Sequence, residues 1–349
     1  MNNLQRLWIS GILVLAGTLG CASGPEEPAP WTEPKDPVLY KQRMRELVIA
    51  LGNHARTYNP EFIVIPQNGN ELLTLDGKLG SPPAADYIQA IDGIGREDLF
   101  YGYTADNRET PPEAIRYMLP YLGLALENDL TVMVIDYCWQ RPKIDESYRR
   151  NRREGFISFT APRRDLTAIP GYPDPLFAEH GADVTSLAQA RNFLFLINPE
   201  AFSDQERFLS ALRRTDYDLI VIDAFVDGSR GPEWLETEEI RSLKRKAGGA
   251  SRLVICYLSI GEAESYRYYW DRRWDRNRDG RPDAGAPQWL AGENPNWQGN
   301  YKVRYWDPEW QAILFGGKES YLDQILSRDF DGVYLDIIDA FEYFEQQGS

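Results

Sequence analysis

Eight short runs of apolar, β-branched and aromatic residues recur along the chain, and this pattern restricts the fold more than any other feature. The runs are FIVIP (62–66), AIDGIG (90–95), TVMVIDY (131–137), GFISFT (155–160), NFLFLIN (192–198), LIVIDAF (219–225), RLVICYLS (252–259) and DGVYLD (331–336). Several are apolar throughout instead of alternating with polar residues, which is typical of parallel strands buried on both faces. The sequence therefore predicts a largely parallel sheet.

Helix-like segments separate these runs and complete the fold prediction. They are residues 111–128, 203–215, 237–248 and 320–328. Ser203 is the predicted N-cap of the second segment, and Glu206 completes a capping box with it. Alternating strands and helices with eight strands predict an α/β fold of the (β/α)8 TIM barrel type, with residues 37–349 as one domain. An open doubly wound sheet is less favoured, because no glycine-rich phosphate loop follows any strand.

The first 20 residues resemble an export signal. Arg6 is their only charged residue, and the run LWISGILVLAGTLG is too short for a comfortable membrane span. Small residues before Cys21 indicate a lipoprotein-type signal whose cysteine is lipidated, and simple secretion is the alternative. Residues 22–36 are rich in Pro and Glu and predict an extended tether. We therefore expect an exported protein, either lipid-anchored to the cell envelope or secreted.

Composition excludes several functional classes. The net charge of −15 argues against nucleic acid as a partner, since a phosphate backbone needs basic patches. His54 and His180 are the only histidines, so a Ser-His-Asp site is disfavoured, and no Cys/His spacing fits zinc. Cys138 and Cys256 each end an apolar run and are predicted to be buried, with a disulfide between them left open. No cofactor is required by any motif.

Polar residues cluster where the predicted strands end. They are Gln67 and Asn68, Glu97 and Asp98, Asp136 and Tyr137, Asn198, Asp223, Ser259 and Glu262, and Asp336 and Asp339. In a barrel of parallel strands these carboxyl ends open on one face, which carries the active site. The chemistry available there is that of carboxyl groups. One protonated and one ionised acid can hydrolyse a glycosidic bond between them.

Long blocks of the sequence resemble glycoside hydrolase family 114, the endo-α-1,4-polygalactosaminidase-like proteins. The blocks are YLSIGEAESYRYYW (257–270), WLAGENPNWQGNYKVRYWDPEWQ (289–311), FDGVYLDIIDAFEYF (330–344), FIVIPQNGNELL (62–73) and IDGIGREDLFYGY (91–103). Together they cover most of residues 37–349. The resemblance implies a TIM barrel that hydrolyses an α-1,4-linked galactosamine-type polysaccharide.

The order of these blocks differs from that of the family. The strand resembling NFLFLIN comes first in the family, and the segments around residues 62–73 and 91–103 come late, whereas here they come first. The chain therefore resembles a circular permutation of the family, which a closed barrel with adjacent termini tolerates. Residues 37–55 are predicted to form the helix that should follow the DGVYLD strand, with Asp36 as its cap and Pro37 in its first turn.

The resemblance implies that Asp336 and Glu97 are the catalytic acids. The alternative for Asp336 is an N-cap or a salt-bridge partner, and for Glu97 a carboxylate that anchors a loop. Other polar residues near the strand ends are predicted to bind sugar hydroxyls or hexosamine amino groups: Asp223, Tyr257, Ser259, Glu262, Asp339, Asn68 and Tyr137. An ion-pair cluster of Glu262, Glu264 and Arg267 that holds the loop is the structural alternative for part of this set.

The segment DRNRDGRPD (275–283) has the spacing of a calcium loop. Asp275, Asn277, Asp279 and Asp283 are the predicted ligands, at positions 1, 3, 5 and 9. Ala286 stands where the bidentate Glu of position 12 is expected, so a solvated Asp-Gly turn with arginine counter-charges competes with a structural calcium site.

Three functions fit the sequence. The first is an exported hydrolase of a galactosamine polysaccharide, with the polymer as substrate and the membrane as partner through a lipid anchor. The second is a non-catalytic carbohydrate-binding lipoprotein of the cell envelope, which would bind polysaccharide without turnover. The third is a hydrolase of the same fold that acts on a different glycan.

Overall fold

The computed structural model describes residues 37–226 and 234–347, which form an α/β fold with two parallel sheets and one antiparallel sheet. The strands of the described residues are β1 Ile63–Pro66, β2 Gly93–Glu97, β3 Thr131–Tyr137, β4 Ile157–Ala161, β5 Leu194–Leu196, β6 Leu219–Ile222, β7 Leu253–Ser259, β8 Glu262–Glu264, β9 Leu290–Glu293, β10 Asn300–Val303 and β11 Gly332–Asp336. The eight predicted apolar runs coincide with β1 to β7 and β11.

The parallel strands form a five-stranded sheet in the order β1-β11-β7-β6-β5 and a three-stranded sheet in the order β2-β3-β4. Every ladder within these sheets is parallel. The central strands β6 and β7 are buried along their whole length. This burial on both faces explains why their sequences are continuously apolar.

The two parallel sheets meet without a continuous ladder, so the predicted closed TIM barrel is not confirmed. Between β1 and β2 there is one isolated parallel bridge, Gln67 to Gly95, and the amide of Asn68 donates to the Gly95 carbonyl at 2.9 Å. Asn68 has a left-handed backbone with φ 61°, which ends β1 at this point. At the other edge, no ladder joins β5 to β4 among the described residues.

Helices cover the parallel sheets. They are α1 Pro37–Tyr58, α2 Ala85–Ala90, α3 Pro112–Glu127, α4 Arg141–Glu154, α5 Gln205–Arg213, α6 Thr237–Leu243, α7 Pro308–Leu314, α8 Tyr321–Ser327 and α9 Phe341–Gln347. The predicted capping box at Ser203 is wrong, because Asp204 is the N-cap and accepts a hydrogen bond from the Arg207 amide at 2.8 Å. The predicted helix 237–248 ends early, at Leu243, where the chain turns into the Arg245–Ser251 bridge.

Helix α1 packs where the helix after β11 is expected, although it lies at the other end of the chain. It contacts α8 and α9 and leads into β1, which pairs with β11. Its apolar face is buried: Tyr40, Met44, Leu47, Val48 and Leu51. His54 lies 3.0 Å from the Asp323 carboxylate on α8. The packing predicted for this helix is thus confirmed, and β11 and β1 are consecutive strands of the sheet.

The antiparallel sheet, in the order β8-β10-β9, follows directly after β7. It was not predicted as strands, since its segments are short and rich in polar and aromatic residues. The amide of Ser265 donates to the Gly299 carbonyl at 2.7 Å and extends the pairing of β8 with β10. This sheet places its residues beside the carboxyl end of β7.

The predicted signal peptide (1–20), the lipidated Cys21 and the tether (22–36) lie outside the described residues. Within the described part of the chain, no helix combines the length and the apolar character that crossing a membrane requires. Export and lipid anchoring are therefore predictions.

Candidate active site

Asp336 is the last residue of β11 and is held by two hydrogen bonds. The hydroxyl of Tyr257 donates to its Oδ2 at 2.6 Å, and the amide of Ile337 donates to its Oδ1 at 2.8 Å. Tyr257 comes from the neighbouring strand β7, where Ser259 is the register partner of Asp336. Two adjacent buried strands therefore fix the carboxyl group at their carboxyl ends.

The chain turns sharply behind Asp336. Ile337 has a left-handed backbone with φ 58°, which is strained for a β-branched residue. A Cβ atom at Gly261 would lie 2.1 Å from the Ile337 carbonyl oxygen, so only glycine allows this close approach. The strained turn lies next to the predicted catalytic acid, where strain of this kind is often found.

Glu97 ends β2 and is held by its neighbours on β3 and β1. The hydroxyl of Tyr137 donates to its Oε1, and Nδ2 of Asn68 lies 3.5 Å from its Oε2. Its own amide donates to Oδ1 of Asn68 at 3.3 Å. The sequence prediction placed Asn68, Tyr137 and Glu97 at strand ends, and the structure brings all three into contact.

The two acids influence each other. Burial raises the pKa of Asp336 to about 7, and the negative charge of Glu97 acts in the same direction, while the Tyr257 hydroxyl opposes both. Near neutral pH the Asp336 carboxyl group can therefore hold a proton, which is the state that general acid catalysis needs.

Tyr334 lies beneath the pair and was missed by the sequence prediction. Its side chain is fully buried, and a Cβ atom at Gly95 would lie 1.8 Å from its hydroxyl oxygen. The hydroxyl has no hydrogen-bond partner among the described residues. Burial raises the pKa of Tyr334, and the charges of Glu97 and Asp336 add to this, so the phenol stays neutral. Its position two residues before Asp336, on the same face of β11, was the available signal.

Asp223 and Glu262 are held in ion pairs instead of pointing freely into the site. Arg267 donates to the two carboxylate oxygens of Asp223 at 3.0 and 2.8 Å. Burial raises the pKa of Asp223, and Arg267 opposes the shift. Glu262 is fully buried, accepts from Lys302 at 2.5 Å and from Asn294 at 2.8 Å, and fastens β8 to β10. Arg267 also pairs with Glu264 at 2.6 Å. Of the predicted ion-pair cluster of Glu262, Glu264 and Arg267, the pair of Glu264 with Arg267 is therefore present, whereas Glu262 pairs with Lys302 instead.

Ser259 and Asp339 are the other predicted binding residues close to Asp336: Ser259 is its register partner on β7, and Asp339 follows it by three residues. The hydroxyl of Ser259 donates to the Glu262 carbonyl at 3.3 Å, so it also supports the loop after β7. Asp339 lies on the short 3-10 turn Ile338–Ala340 behind the strained residue. Of the predicted substrate-binding residues, Tyr257 contacts Asp336, and Tyr137 and Asn68 contact Glu97. The charge of Asp339 adds to the raised pKa of Asp336.

Asp339 gives the folded protein a pH-dependent stability. Burial raises the pKa of its carboxyl group to about 7; Glu342 and Glu262 add to the effect, and Lys302 and Arg96 oppose it. In an unfolded chain this group titrates near 4. The folded state therefore binds an extra proton between these pH values, and stability falls as the pH rises through that window.

At pH 8 we expect Asp339→Asn to have a free energy of unfolding in urea roughly 1–2 kcal/mol higher than that of the wild type. At pH 4 the two proteins should be equally stable. The matched control is Asp129→Asn, an exposed residue before the amino end of β3, which should leave the pH dependence unchanged. An Asp339→Asn variant with the same dependence as the wild type would contradict the expectation.

The predicted calcium loop is closed by hydrogen bonds to its own backbone. Asp275 accepts from the amides of Asp279 and Gly280 at 3.2 and 3.0 Å and from the Tyr301 hydroxyl at 2.6 Å. Asp283 accepts from the Arg276 amide at 2.8 Å. In the described ranges, no group of three or more His, Cys, Asp or Glu side chains is arranged to hold a metal ion. The calcium site therefore stays a prediction.

The cysteines and histidines take no part in the site. Cys138 and Cys256 are both buried, free thiols, as the buried-residue prediction expected, and the disulfide left open by the sequence is not formed. His180 pairs with Asp218 at 2.8 Å. The groups that can do acid-base chemistry beside Asp336 are thus carboxyl and tyrosine side chains.

With this geometry in place, the chain can be compared with known proteins. Residues 209–349 match the family model described as glycoside-hydrolase family GH114. This confirms the predicted family resemblance over that part of the chain. The matched residues include Asp336, Tyr257 and Ser259, and Glu97 lies outside them.

Relatives of known sequence are similar over a comparable length. The chain is 43% identical over 148 residues to an uncharacterized protein of Methanocaldococcus jannaschii, covering 42% of this chain and 38% of the relative. It is 41% identical over 134 residues to an uncharacterized protein of Deinococcus radiodurans, covering 38% of this chain and 37% of the relative. The matches thus span less than two fifths of either relative.

A solved structure of a hyperthermophilic endo-beta-1,4-glucanase in complex with substrate is also similar to part of the chain. The similarity covers 59% of this chain and 62% of that one, at 16% identity and a TM-score of 0.23. A TM-score this low does not establish a common fold.

Proposed function

We propose that this protein is a glycoside hydrolase in which Asp336 and Glu97 are the catalytic pair. One observation carries the proposal: two carboxyl groups end the strands β11 and β2, and the charge of Glu97 helps to raise the pKa of Asp336 to about 7. The match of residues 209–349 to glycoside-hydrolase family GH114 supports the same chemistry.

The pair would act by the two-carboxylate mechanism. The protonated carboxyl group gives its proton to the glycosidic oxygen as the bond to the anomeric carbon breaks. The ionised carboxylate either attacks the anomeric carbon or removes a proton from the attacking water. Tyr257 would orient Asp336, while Tyr137 and Asn68 would orient Glu97, through the hydrogen bonds described above. Positioning of this kind supplies much of a hydrolase's rate.

The substrate that we propose is an α-1,4-linked galactosamine-type polysaccharide. The long sequence blocks shared with the polygalactosaminidase-like family support it. The net charge of −15 favours a partly deacetylated, cationic polymer over an anionic one. Asp339 lies beside the pair and would contact the hydroxyl or amino groups of the bound sugar.

The test is the release of reducing ends from a panel of polymers that contains deacetylated and acetylated α-1,4-galactosamine chains, an α-glucan and a β-1,4-glucan. We expect release from the galactosamine chains and little from the glucans. Release from a glucan alone would favour a hydrolase of a different glycan. Binding to a polymer with no release from any of them would favour the carbohydrate-binding alternative.

We further propose that the two parallel sheets belong to one circularly permuted (β/α)8 barrel and that the protein is exported and lipid-anchored through Cys21. The single bridge between β1 and β2 and the packing of α1 between α8 and α2 support the permuted barrel. The apolar run before Cys21 supports export. In cells, Cys21→Ala should move the protein from the membrane fraction to the soluble fraction.

A further inference from the structure

Arg164 follows β4 and reaches across the end of β3 towards Glu97. Its guanidinium carbon lies 3.8 Å from the centre of the Tyr137 ring. Tyr137 is the residue whose hydroxyl donates to Glu97. The stacked cation is attracted by the ring and restricts the tilt of the phenol. The orientation of the Tyr137 hydroxyl thus depends on Arg164.

Arg164 is itself fixed by the loop that follows β2. Its Nη2 and Nη1 lie 2.7 and 3.3 Å from the two carboxylate oxygens of Asp98, and its Nε lies 2.7 Å from Oδ1 of Asp106. Nη2 also donates to the Gly102 carbonyl at 3.2 Å. The side chain is 18% exposed, so little water competes for these bonds. A bidentate arginine pair of this type sets geometry as well as charge.

Asp98, a hydrogen-bond partner of Arg164, is joined directly to Glu97 by the backbone. It directly follows Glu97, has a left-handed backbone with φ 59°, and is partly buried. A Cβ atom at Gly102 would lie 1.9 Å from Oδ1 of Asp98, so the loop closes tightly around this carboxylate. Burial raises the pKa of Asp98, and Arg164 opposes the shift. Arg164 therefore acts on two neighbours of Glu97, Tyr137 and Asp98.

We propose that Arg164 is a positioning residue that holds the Glu97 carboxylate in its reactive orientation, through the Tyr137 ring on one side and Asp98 on the other. Its catalytic consequence rests on the proposed function, because Glu97 must be a reacting group for its orientation to affect a rate. The orientation itself can be measured without turnover.

The experiment compares Arg164→Met with Arg163→Met. Arg163 is the adjacent residue, its side chain is 63% exposed and it pairs with Asp165, so the same substitution there leaves the site intact. The first readout is the δ-carbon NMR signal of Glu97 in selectively labelled protein, assigned by its loss in Glu97→Gln. We expect this signal to move in Arg164→Met and to stay in place in Arg163→Met.

The second readout is kinetic, on the polymer that the wild type cleaves. We expect kcat of Arg164→Met to fall by roughly 10–100-fold with little change in KM, which is the result of misplacing a reacting group. Arg164→Lys keeps the charge but loses the planar fork, so it should recover only part of the rate.

The outcomes separate this inference from the proposed function. An unchanged Glu97 signal in folded Arg164→Met overturns the positioning role, whatever the activity. A shifted signal in a protein that cleaves no polymer supports the positioning role and counts against the hydrolase. If Arg164→Met does not fold, the Arg164→Lys variant carries the same NMR test.

Discussion

Replacing Asp336 by Asn, or Glu97 by Gln, is expected to lower kcat on the cleaved polymer by roughly 10²–10⁴-fold while the protein stays folded. Each substitution keeps the shape of the side chain, and its single amide oxygen can still accept the hydrogen bond from Tyr257 or Tyr137. Each removes the acid that must give up or accept a proton. The measurement is initial reducing-end release at saturating polymer, with circular dichroism to verify folding.

Matched controls lie at the opposite, amino-terminal end of the strands. Asp129 and Glu127 are exposed residues shortly before β3 begins, so Asp129→Asn and Glu127→Gln make the same chemical changes away from the site. Both should retain wild-type kcat. If Asp336→Asn also retains wild-type kcat, Asp336 has a structural role. The alternative interpretation of Asp336 as an N-cap or a salt-bridge partner would then be favoured.

Replacing Lys302 by Met is expected to destabilise the fold by roughly 3–5 kcal/mol, because it leaves a buried carboxylate without its cation. Glu262 is fully buried and lies 2.5 Å from the Lys302 ammonium, whose side chain is 11% exposed. The remaining donors to Glu262, among them Asn294 at 2.8 Å, are neutral amides. Urea unfolding of the two proteins at pH 7 measures the loss.

The second variant in this test is Lys302→Met combined with Glu262→Gln. It removes both charges and should recover most of the lost stability, because a neutral amide can bond to Asn294 without an ion partner. Lys318→Met, at an exposed position, is the control for the loss of a lysine. If the double variant is as unstable as Lys302→Met, the stability lost in Lys302→Met does not come from an unpaired Glu262 carboxylate. Glu262 would then again be a candidate for substrate binding.

The strands could be predicted well from the sequence, because a strand that is buried on both faces is a continuous run of apolar residues. Each of the eight apolar runs overlaps a parallel strand, and Asp336 and Glu97 are the last residues of β11 and β2. Once the strands are placed, parallel topology brings their ends together, so residues about 240 positions apart reach one site. The packing of α1 against α8, the helix before β11, followed from the same argument.

Other features had no equally direct signal. Helix α4 is rich in arginine, and its buried face includes Ser147 and Asn151, which bond the buried Asp136 carboxylate. Polar residues at core positions conceal a helix from a hydrophobic pattern, and the left-handed Gly155 that ends it was the remaining cue.

Arg164 was missed for a related reason. It acts from an irregular segment after β4, and its partners Asp98 and Tyr137 lie 66 and 27 positions away in the sequence. The closed barrel is not confirmed, because no ladder joins β1 to β2 or β5 to β4 among the described residues.

The central claim is that Asp336 and Glu97, from opposite ends of the chain, work as one catalytic pair. Reducing-end release from the α-1,4-galactosamine polymer by the wild type, Asp336→Asn, Glu97→Gln and the double variant tests it most directly. Residues that act as a unit are not additive, so the double variant should be no slower than the slower single variant. Losses that multiply, or release by all four proteins at the wild-type rate, would contradict the claim.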